Sequence, residues 1–470
     1  MTFASVPFEE LVQALGAAAV VTDRAALDQR SHDSWPVASK WARQGKHPYP
    51  AEVVVWPASR EEVADVLRIA TRAGVPVTPW GLGSSVTGQP LPVEGGIVLD
   101  LSRMTGPLEL NEVDLTVTVP AGIKGGELED ELQSRGYTLN NSPQSLYRSS
   151  VGGWLATLET GQFSSRYGGI EDLVCGYVVT LADGETIRLG ASPRRAMGPD
   201  LRHLFLGSEG TLGVVTEVTM KVFPRAEHRV FEAIRMPSVR AGLVVTREAM
   251  ARGLRPFLVR FYDADEARHA MQDESCDAPV LFLGTEGVRA VAEAEHAALV
   301  EIAHGHGGES VGPAPVVEWM ERRFDFSAVE QLLDTDGGYA ETIEIAHVWS
   351  RIEAVYDDLK LALAPLADEV LGHFSHAYTQ GSSLYLILLG QAQTDAEAEA
   401  RLMEIWETAM TTCLRHGAEL SHHHGGGLAR SRYAARSLGS AHHLLQRVKD
   451  ALDPEGVLNP GKLGLRSPRG

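Results

Sequence analysis

The chain has 470 residues, of which 44% are hydrophobic and 22% charged, the balance of an ordinary globular protein with ample core. Lys and Arg number 42 against 62 Asp and Glu, so the formal net charge is −20. Nonspecific binding to nucleic acid or to an anionic membrane is excluded, because both need a cationic surface. Any anionic cofactor must therefore be bound by donors arranged locally.

Short apolar runs alternate with helical patterns through the first half of the chain. Residues 51–56 predict a strand, and Ser59 with Glu62 predicts a capped helix that runs to Ala73 and ends at Gly74. Further elements are predicted as strands at residues 96–101, 115–119 and 212–222 and as a helix at about 126–136. This alternation predicts an α/β or α+β first domain.

The pattern changes after Pro224. Strands at residues 256–262 and 280–284 alternate with helices, one of them at 288–304, which is typical of an antiparallel sheet covered by helices. A last helix is predicted at about 441–452. We predict three segments: residues 1–228 as one domain with its core at about 48–226, residues 229–416 as a second domain, and residues 417–470 returning to the first.

Three features bear on the cellular location. Cys175, Cys276 and Cys413 lie far apart in no metal-like spacing, which indicates neither disulfides nor zinc and fits a reducing cytoplasm. The apolar residues 11–21 are too few to span a bilayer and follow two glutamates, so they predict an amphipathic helix, not an export signal. Residues 467–470 (Ser-Pro-Arg-Gly) carry no peroxisomal address. We expect a cytoplasmic protein without an integral membrane segment, and the excess of arginine over lysine is typical of a GC-rich bacterial genome.

Residues 79–86 (Pro-Trp-Gly-Leu-Gly-Ser-Ser-Val) are the first that indicate ligand binding. Successive small residues let backbone N–H groups converge on one point, which makes an anion site without a lysine. The loop lacks the third glycine of a Rossmann fingerprint and the Gly-Lys-Ser/Thr of a P-loop. By itself it is equally well explained as an ordinary glycine turn.

Three later segments are also rich in glycine and hydroxyl residues. They are residues 143–154 (PQSLYRSSVGGW), 167–172 (YGGIED) and 207–214 (GSEGTLGV). Together with the first loop they supply many backbone and hydroxyl donors to an extended polar ligand, which suits a dinucleotide.

The four segments, in this order, resemble the FAD-binding domain of the vanillyl-alcohol-oxidase (PCMH-type) flavoenzymes. The resemblance implies an α+β protein: a PCMH-type FAD-binding fold of two α/β subdomains, and a cap domain of antiparallel sheet and helices that binds substrate. It implies noncovalent FAD, because the first loop lacks the histidine that tethers FAD in many relatives. The implied FAD contacts are Pro79, Gly81, Leu82, Gly83, Ser84, Ser85, Gln144, Ser145, Ser149, Ser150, Gly153, Thr157, Thr160, Ile170, Glu209, Gly213 and Val215.

Residues 421–427 (Ser-His-His-His-Gly-Gly-Gly) form the most unusual local feature. On a strand at most two of the three imidazoles share a face, because side chains alternate. Their pKa range suits proton transfer near neutrality. Two other interpretations stay open: a metal site with His373 and His376 as further ligands, and a purely structural histidine cluster.

This motif together with residues 149–154 (SSVGGW) resembles the alkylglycerone-phosphate synthase branch of the superfamily, over about residues 35–463. That branch requires the histidines and uses a strand tyrosine as acid/base, matched here by Tyr385, which could otherwise be a core aromatic. A cap-domain arginine of the branch is matched by Arg260. In such an apolar strand an arginine needs either a buried salt bridge or an anionic substrate group. The resemblance thus implies as catalytic residues Tyr385, His422, His423, His424 and Arg260, with no metal.

One position departs from the branch. Eleven residues before a Glu-x-x-Glu pair, here Glu341 and Glu344, the branch carries a substrate-binding arginine, and this chain has Glu330. A carboxylate there is expected to repel an anionic substrate group if the site is the same. Arg322 and Arg323 lie close enough in sequence to compensate.

We predict an FAD-dependent oxidoreductase of the FAD-linked oxidase or D-lactate-dehydrogenase-like type. Arg260 would hold a small alcohol or 2-hydroxy acid, Tyr385 with His423 or His424 would take its hydroxyl proton, and flavin N5 would receive the hydride. The alternative is an alkylglycerone-phosphate-synthase-like transferase of ether lipid synthesis, which forms an ether bond through a flavin N5 adduct; Glu330 counts against it. A noncatalytic flavin-binding protein is the third possibility. We expect a small-molecule substrate and a homodimer.

Overall fold

The computed structural model describes residues 6–466. The prediction that residues 467–470 carry no peroxisomal address concerns residues outside this range. The α-helices lie at Phe8–Leu15, Arg24–Gln29, Pro36–Arg43, Arg60–Ala73, Gly125–Ser134, Val151–Thr157, Ser164–Tyr167, Ile170–Leu173, Arg202–Phe205, Val239–Ala251, Ala264–Met271, Arg289–Gly305, Ala314–Arg322, Ser327–Asp334, Trp349–Leu363, Asp395–His416, Gly427–Ser431, Ala434–Leu438 and Ser440–Leu452. Within residues 6–466, no helix combines the length and the apolar character needed to cross a membrane.

The N-terminal half contains two main sheets, each with its own buried core. The first has the spatial order Val20–Val21, Val53–Val55, Ile97–Asp100, Val77–Trp80, with the last two pairings parallel. The second is antiparallel, in the order Glu109–Asn111, Thr116–Pro120, Val214–Lys221, Val174–Thr180, Thr186–Leu189. A two-stranded ribbon pairs Phe223–Pro224 with Tyr137–Thr138.

A seven-stranded antiparallel sheet forms the second half. Its spatial order is Glu309–Gly312, His228–Arg235, Val280–Gly287, Leu258–Tyr262, Glu369–Ala377, Gly381–Gln391, Gly338–Val348. Four helices bury residues in the core beside this sheet: Val239–Ala251, Arg289–Gly305, Trp349–Leu363 and Asp395–His416. The arrangement is the mixed helix-and-sheet architecture that the sequence predicts.

After the second half the chain contacts the first half again. Leu445 and Val448 of the helix Ser440–Leu452 pack on the core of the five-stranded sheet. Val77 then donates from its N–H to the carbonyl of Val457 at 2.8 Å, and Asn459 donates back to Val77 at 2.8 Å. Residues 457–459 therefore pair with the edge strand that leads into the glycine loop.

Local signals explain one helix well and another only in part. Ser59 accepts from the N–H of Glu62 and Gly74 has a left-handed backbone with φ 64°, so the predicted start and end of Arg60–Ala73 are both seen. The predicted helix at residues 11–21 is too long. Gly16 has φ 85° and ends the helix at Leu15, and the β-branched pair Val20–Val21 joins the edge of the first sheet.

Candidate active site

A cavity of about 990 Å³ is lined by both halves of the protein. Its size is at the upper end of the range of about 300–1,000 Å³ typical of ligand pockets. Every residue predicted to contact FAD lines it except Ile170, which is buried in the core of the five-stranded sheet. Arg260, Tyr385, His423 and His424 line it as well, whereas His422 does not.

The glycine loop presents backbone donors without acceptors. Within residues 6–466, the N–H groups of Leu82, Gly83, Ser84 and Ser85 donate no hydrogen bond. Gly83 has φ 67°, and a Cβ there would lie 2.5 Å from the ring of Trp80. A row of unpaired N–H groups in a segment that excludes side chains fits a bound pyrophosphate.

Deeper in the cavity, further polar groups lack partners. Glu159 Oε1 and both polar atoms of the Gln162 amide are buried and make no hydrogen bond in the described part of the chain. Burial raises the pKa of Glu159 to about 8, so this carboxyl is protonated and can donate at neutral pH. Unpaired buried groups are costly, which indicates that a polar ligand occupies this wall. An uncharged heterocycle with donors and acceptors, such as the flavin ring, fits them.

Tyr385 lies on the strand Gly381–Gln391, next to the edge strand of the seven-stranded sheet, called the cap sheet from here on. Its strand Gly381–Gln391 pairs on both sides, and its ring stacks on His373 with 4.6 Å between ring centroids. Its hydroxyl lies 2.6 Å from His423 Nε2. Burial raises the pKa of Tyr385 well above its usual value, and the charge of Glu344 adds to this. The hydroxyl is therefore protonated at rest, and the tautomer of His423 sets whether it donates to this imidazole or accepts from it.

The three consecutive histidines lie in a bend, not on a strand. His422 Nδ1 and His423 Nδ1 are 2.7 Å apart, and His422 Nε2 is 2.7 Å from the hydroxyl of Tyr378. Burial is the main cause that lowers the pKa of His422 and of His423 to about 3, and that of His424 to about 4. All three imidazoles are neutral near pH 7, each with one N–H and one free lone pair.

Two buried carboxylates hold the histidine bend, one from each half of the protein. Glu344 of the cap sheet accepts from Ser421 Oγ at 2.7 Å and from the N–H groups of His422 and His424 at 2.5 and 2.8 Å. Glu209 accepts from the N–H groups of Gly426 and Gly427, as well as from a glutamine amide. Glu209, predicted as an FAD contact, thus also positions the histidines.

Burial by itself would raise the pKa of Glu344. The neighbouring His424 and the guanidinium of Arg430 outweigh it and hold this pKa below the usual range. Arg430 lies 3.4 Å from the carboxylate and also donates to the carbonyls of Gly425 and Glu344. Glu344 is therefore a buried anion that ties the bend to the cap sheet.

Arg260 has no carboxylate in direct contact. It donates from Nε to the Tyr262 hydroxyl and from Nη2 to His373 Nε2, both at 2.9 Å. His373 in turn donates from Nδ1 to Glu266 at 2.8 Å. Of the two partners expected for this arginine, the direct salt bridge is not formed within residues 6–466. The positive charge is thus left for an anionic group in the cavity.

His376, His422 and His423 have nitrogens within 4.8 Å of one another, as three metal ligands would. Two of these histidines meet through their Nδ1 atoms at 2.7 Å, a hydrogen-bond distance. Ligands about 2.0–2.1 Å from a tetrahedral zinc ion are separated by about 3.3 Å. The geometry favours a hydrogen-bonded cluster, and the lack of a metal stays a prediction.

Glu330 lines the cavity from the helix Ser327–Asp334 and forms an ion pair with Arg148 of the other half. The expected repulsion of an anionic substrate is therefore offset, since the nearest cation neutralises this carboxylate. Arg322 and Arg323 line the cavity too and form no ion pair in the described part of the chain. That they compensate for Glu330 stays a prediction.

Four polar residues of this site were missed in the sequence. Tyr378, Ser164, Glu159 and Gln162 belong to no motif on which the prediction depended. The only signal for Tyr378 is its place two residues after His376. Unpaired buried atoms and contacts between distant segments reveal the other three.

Fold and cavity together define a class: a two-domain PCMH-type flavoenzyme with FAD as its cofactor. Residues 51–190 match the family model of the FAD binding domain, and residues 225–463 match that of the FAD linked oxidases, C-terminal domain. The chain belongs to the FAD-linked oxidases.

Three relatives and one solved structure are informative. The uncharacterized FAD-linked oxidoreductase YgcU of Escherichia coli K12 is 31% identical over 97% of both chains. Alkyldihydroxyacetonephosphate synthase of Dictyostelium discoideum is 27% identical over 88% of this chain and 73% of the relative. The mitochondrial D-lactate dehydrogenase (cytochrome) of Arabidopsis thaliana is 28% identical over 88% and 73%. A solved alkyldihydroxyacetonephosphate synthase superposes with a TM-score of 0.80 at 23% identity, covering 98% of this chain and 87% of its own, and supports the fold.

Proposed function

We propose that this protein oxidises a small alcohol or 2-hydroxy acid. One observation carries the proposal: Arg260 and Tyr385 both contact His373, the first by a hydrogen bond of 2.9 Å and the second by ring stacking. A cation without a carboxylate in direct contact therefore lies near a hydroxyl that is linked to a neutral imidazole. A 2-hydroxy acid carries a carboxylate and a hydroxyl on adjacent carbons, which this pair matches.

In the proposed reaction Arg260 binds the carboxylate and orients the substrate hydroxyl toward Tyr385. Because Tyr385 is protonated at rest, it accepts the substrate proton only as it passes its own proton to His423 Nε2. His373, held by Glu266, fixes the guanidinium and the phenol ring relative to each other. Bound FAD supplies the two-electron acceptor for the carbon–hydrogen bond that breaks. It would be held by the glycine loop and by the wall that contains Glu159.

The relatives support this proposal without naming the substrate. The Arabidopsis relative is a dehydrogenase of D-lactate, itself a 2-hydroxy acid. Its identity to this chain is similar to that of the synthase relative.

An ether-forming transferase is the second candidate. It is favoured by the direct contact of Tyr385 with His423, because the synthase branch resembled by the sequence needs both groups. Glu330 counts against it, because a carboxylate stands where that branch has a cation, although the ion pair with Arg148 reduces the effect.

One experiment separates the two candidates. The FAD-loaded protein is mixed without oxygen with D- and L-lactate, glycolate, 2-hydroxyglutarate and simple alcohols, and the visible absorption of the flavin is followed. We expect at least one 2-hydroxy acid to bleach it, and Arg260→Gln to raise the KM of that acid more than tenfold. Arg432→Gln, which removes an exposed ion pair, is the matched control. No bleaching, together with ether formation from an acyl dihydroxyacetone phosphate and a fatty alcohol, would overturn the proposal.

A further inference from the structure

Three short hydrogen bonds connect Tyr385 with a residue outside the cavity. The Tyr385 hydroxyl is 2.6 Å from His423 Nε2, the two Nδ1 atoms of His423 and His422 are 2.7 Å apart, and His422 Nε2 is 2.7 Å from the Tyr378 hydroxyl. The first two residues line the cavity and the last two do not. The chain of bonds therefore crosses the cavity wall.

Tyr378 is partly exposed although it does not line the cavity, so its exposed part faces another surface. Its backbone is fixed at the turn after the strand Glu369–Ala377, because its N–H donates to Gly381 and its carbonyl accepts from the Trp349 indole. Ser164, Glu171 and Asp172 face its hydroxyl from two short helices of the FAD domain. Burial and these two acidic groups raise the pKa of Tyr378, which therefore stays protonated.

Neutral imidazoles allow only two patterns of protons in this chain. If Tyr385 donates to His423 Nε2, then His423 carries its proton on Nδ1 and donates to His422 Nδ1. His422 then carries its proton on Nε2 and donates to Tyr378. In the second pattern every bond is reversed, from Tyr378 inward to Tyr385.

We propose that these four residues form a proton-transfer chain from the active site to the surface, with Tyr378 as its outlet. The proposal rests on the proposed function, which releases the hydroxyl proton of the substrate at Tyr385. The substrate hydroxyl passes its proton to Tyr385, and Tyr385 passes its own proton to His423. His423 then passes a proton to His422, His422 passes one to Tyr378, and Tyr378 releases one to water.

Each transfer breaks one O–H or N–H bond and forms the next, so every group is neutral before and after. Only the tautomers of the two histidines are reversed. No imidazolium has to exist in the buried wall, where its charge would be costly. Tyr378 touches neither substrate nor cofactor in this scheme and acts through His422.

The first test uses the FAD-loaded enzyme and the best substrate of the panel. Tyr378→Phe keeps the ring and removes the outlet hydroxyl. We expect kcat to fall at least about tenfold. The fall should be smaller than the roughly 10²–10⁴-fold that follows loss of a group that acts directly as acid or base. The solvent deuterium isotope effect should increase, and added imidazole should restore the rate. Tyr433→Phe, which removes a hydroxyl bonded to Glu407 and not to the chain, should change none of these. An unchanged rate and isotope effect in Tyr378→Phe would overturn the proposal.

The second test needs no turnover. In histidine-labelled holoprotein, the Nδ1 atoms of His422 and His423 should show a nitrogen–nitrogen scalar coupling across their hydrogen bond. Tyr378→Phe should shift the tautomer balance of His422. If the panel gives no substrate while the coupling is present, the chain stands and the proposed function fails. The proton-transfer chain would be overturned if no coupling is seen and the histidines bind a metal instead. Metal binding would show as a stoichiometric metal in the purified protein or as histidine signals that added Zn²⁺ displaces.

Discussion

Replacing Glu344 by glutamine tests whether a buried anion holds the histidine bend. The carboxylate accepts from Ser421 Oγ and from two backbone N–H groups, and it faces Arg430 at 3.4 Å. An amide has one acceptor oxygen, so in either orientation at least one N–H of the bend faces another N–H. Hydrogen bonds to charged groups contribute about 1.5–3 kcal/mol each, and removing one partner of a buried ion pair costs about 3–5 kcal/mol. These terms overlap, so we expect a loss of about 3–5 kcal/mol.

The assay is urea unfolding of Glu344→Gln beside Glu404→Gln, which changes an exposed glutamate paired with Arg401. The control should stay within about 0.5 kcal/mol of the parent protein. Glu344→Asp keeps the charge and should be intermediate, which gives a measurement if the glutamine variant does not fold. Activity should fall in Glu344→Gln because the bend no longer presents His423 to Tyr385. A free energy of unfolding of Glu344→Gln that equals that of the control would refute this account of the bend.

Four further outcomes are expected. Tyr385→Phe should lower kcat by roughly 10²–10⁴-fold with an unchanged flavin spectrum; loss of FAD would make its role structural. Gly83→Ala forces a methyl group to within 2.5 Å of an indole ring at φ 67°, so titration of apoprotein should show at least about tenfold weaker FAD binding. Gly253→Ala, at φ 81° with open space, should bind FAD normally. The free energy of unfolding should fall as the pH drops from 6.5 toward about 3. Because the pKa of His423 is lowered to about 3 in the folded protein, this histidine binds fewer protons in that pH range than it does in the unfolded chain. Urea melts of His423→Gln should show a flatter pH dependence. Light scattering should report a homodimer, and a monomer would contradict that expectation.

Much of the fold follows from local signals. The helix Arg60–Ala73 is bounded by its own capping residue and glycine, and the strands Val53–Val55 and Ile97–Asp100 lie inside the predicted apolar runs. The predicted helix at residues 11–21 was too long, because Val20 and Val21 pair with Val54 and Val55, on the far side of two intervening helices. Hydropathy along the chain carries no information about that partner.

The site shows the same division. Glycine-rich loops with a recognisable order were sufficient to predict residues that line the cavity, because a backbone anion site is built from consecutive residues. The role of Glu209 as a support of the histidine bend was not predictable, because its partners Gly426 and Gly427 follow only after the whole cap domain.

The sequence by itself indicated a glycine loop that offers backbone donors to an anionic cofactor without a lysine, and it indicated which tyrosine, arginine and histidines are candidates for chemistry. Only the tertiary structure decided that Arg260 lacks a carboxylate partner, that the histidines are neutral, and that they connect Tyr385 to Tyr378. The physical reason is that charge state and hydrogen-bond direction depend on burial and on neighbours from distant segments. A motif names the groups, and the packing of two domains against each other sets what those groups can do.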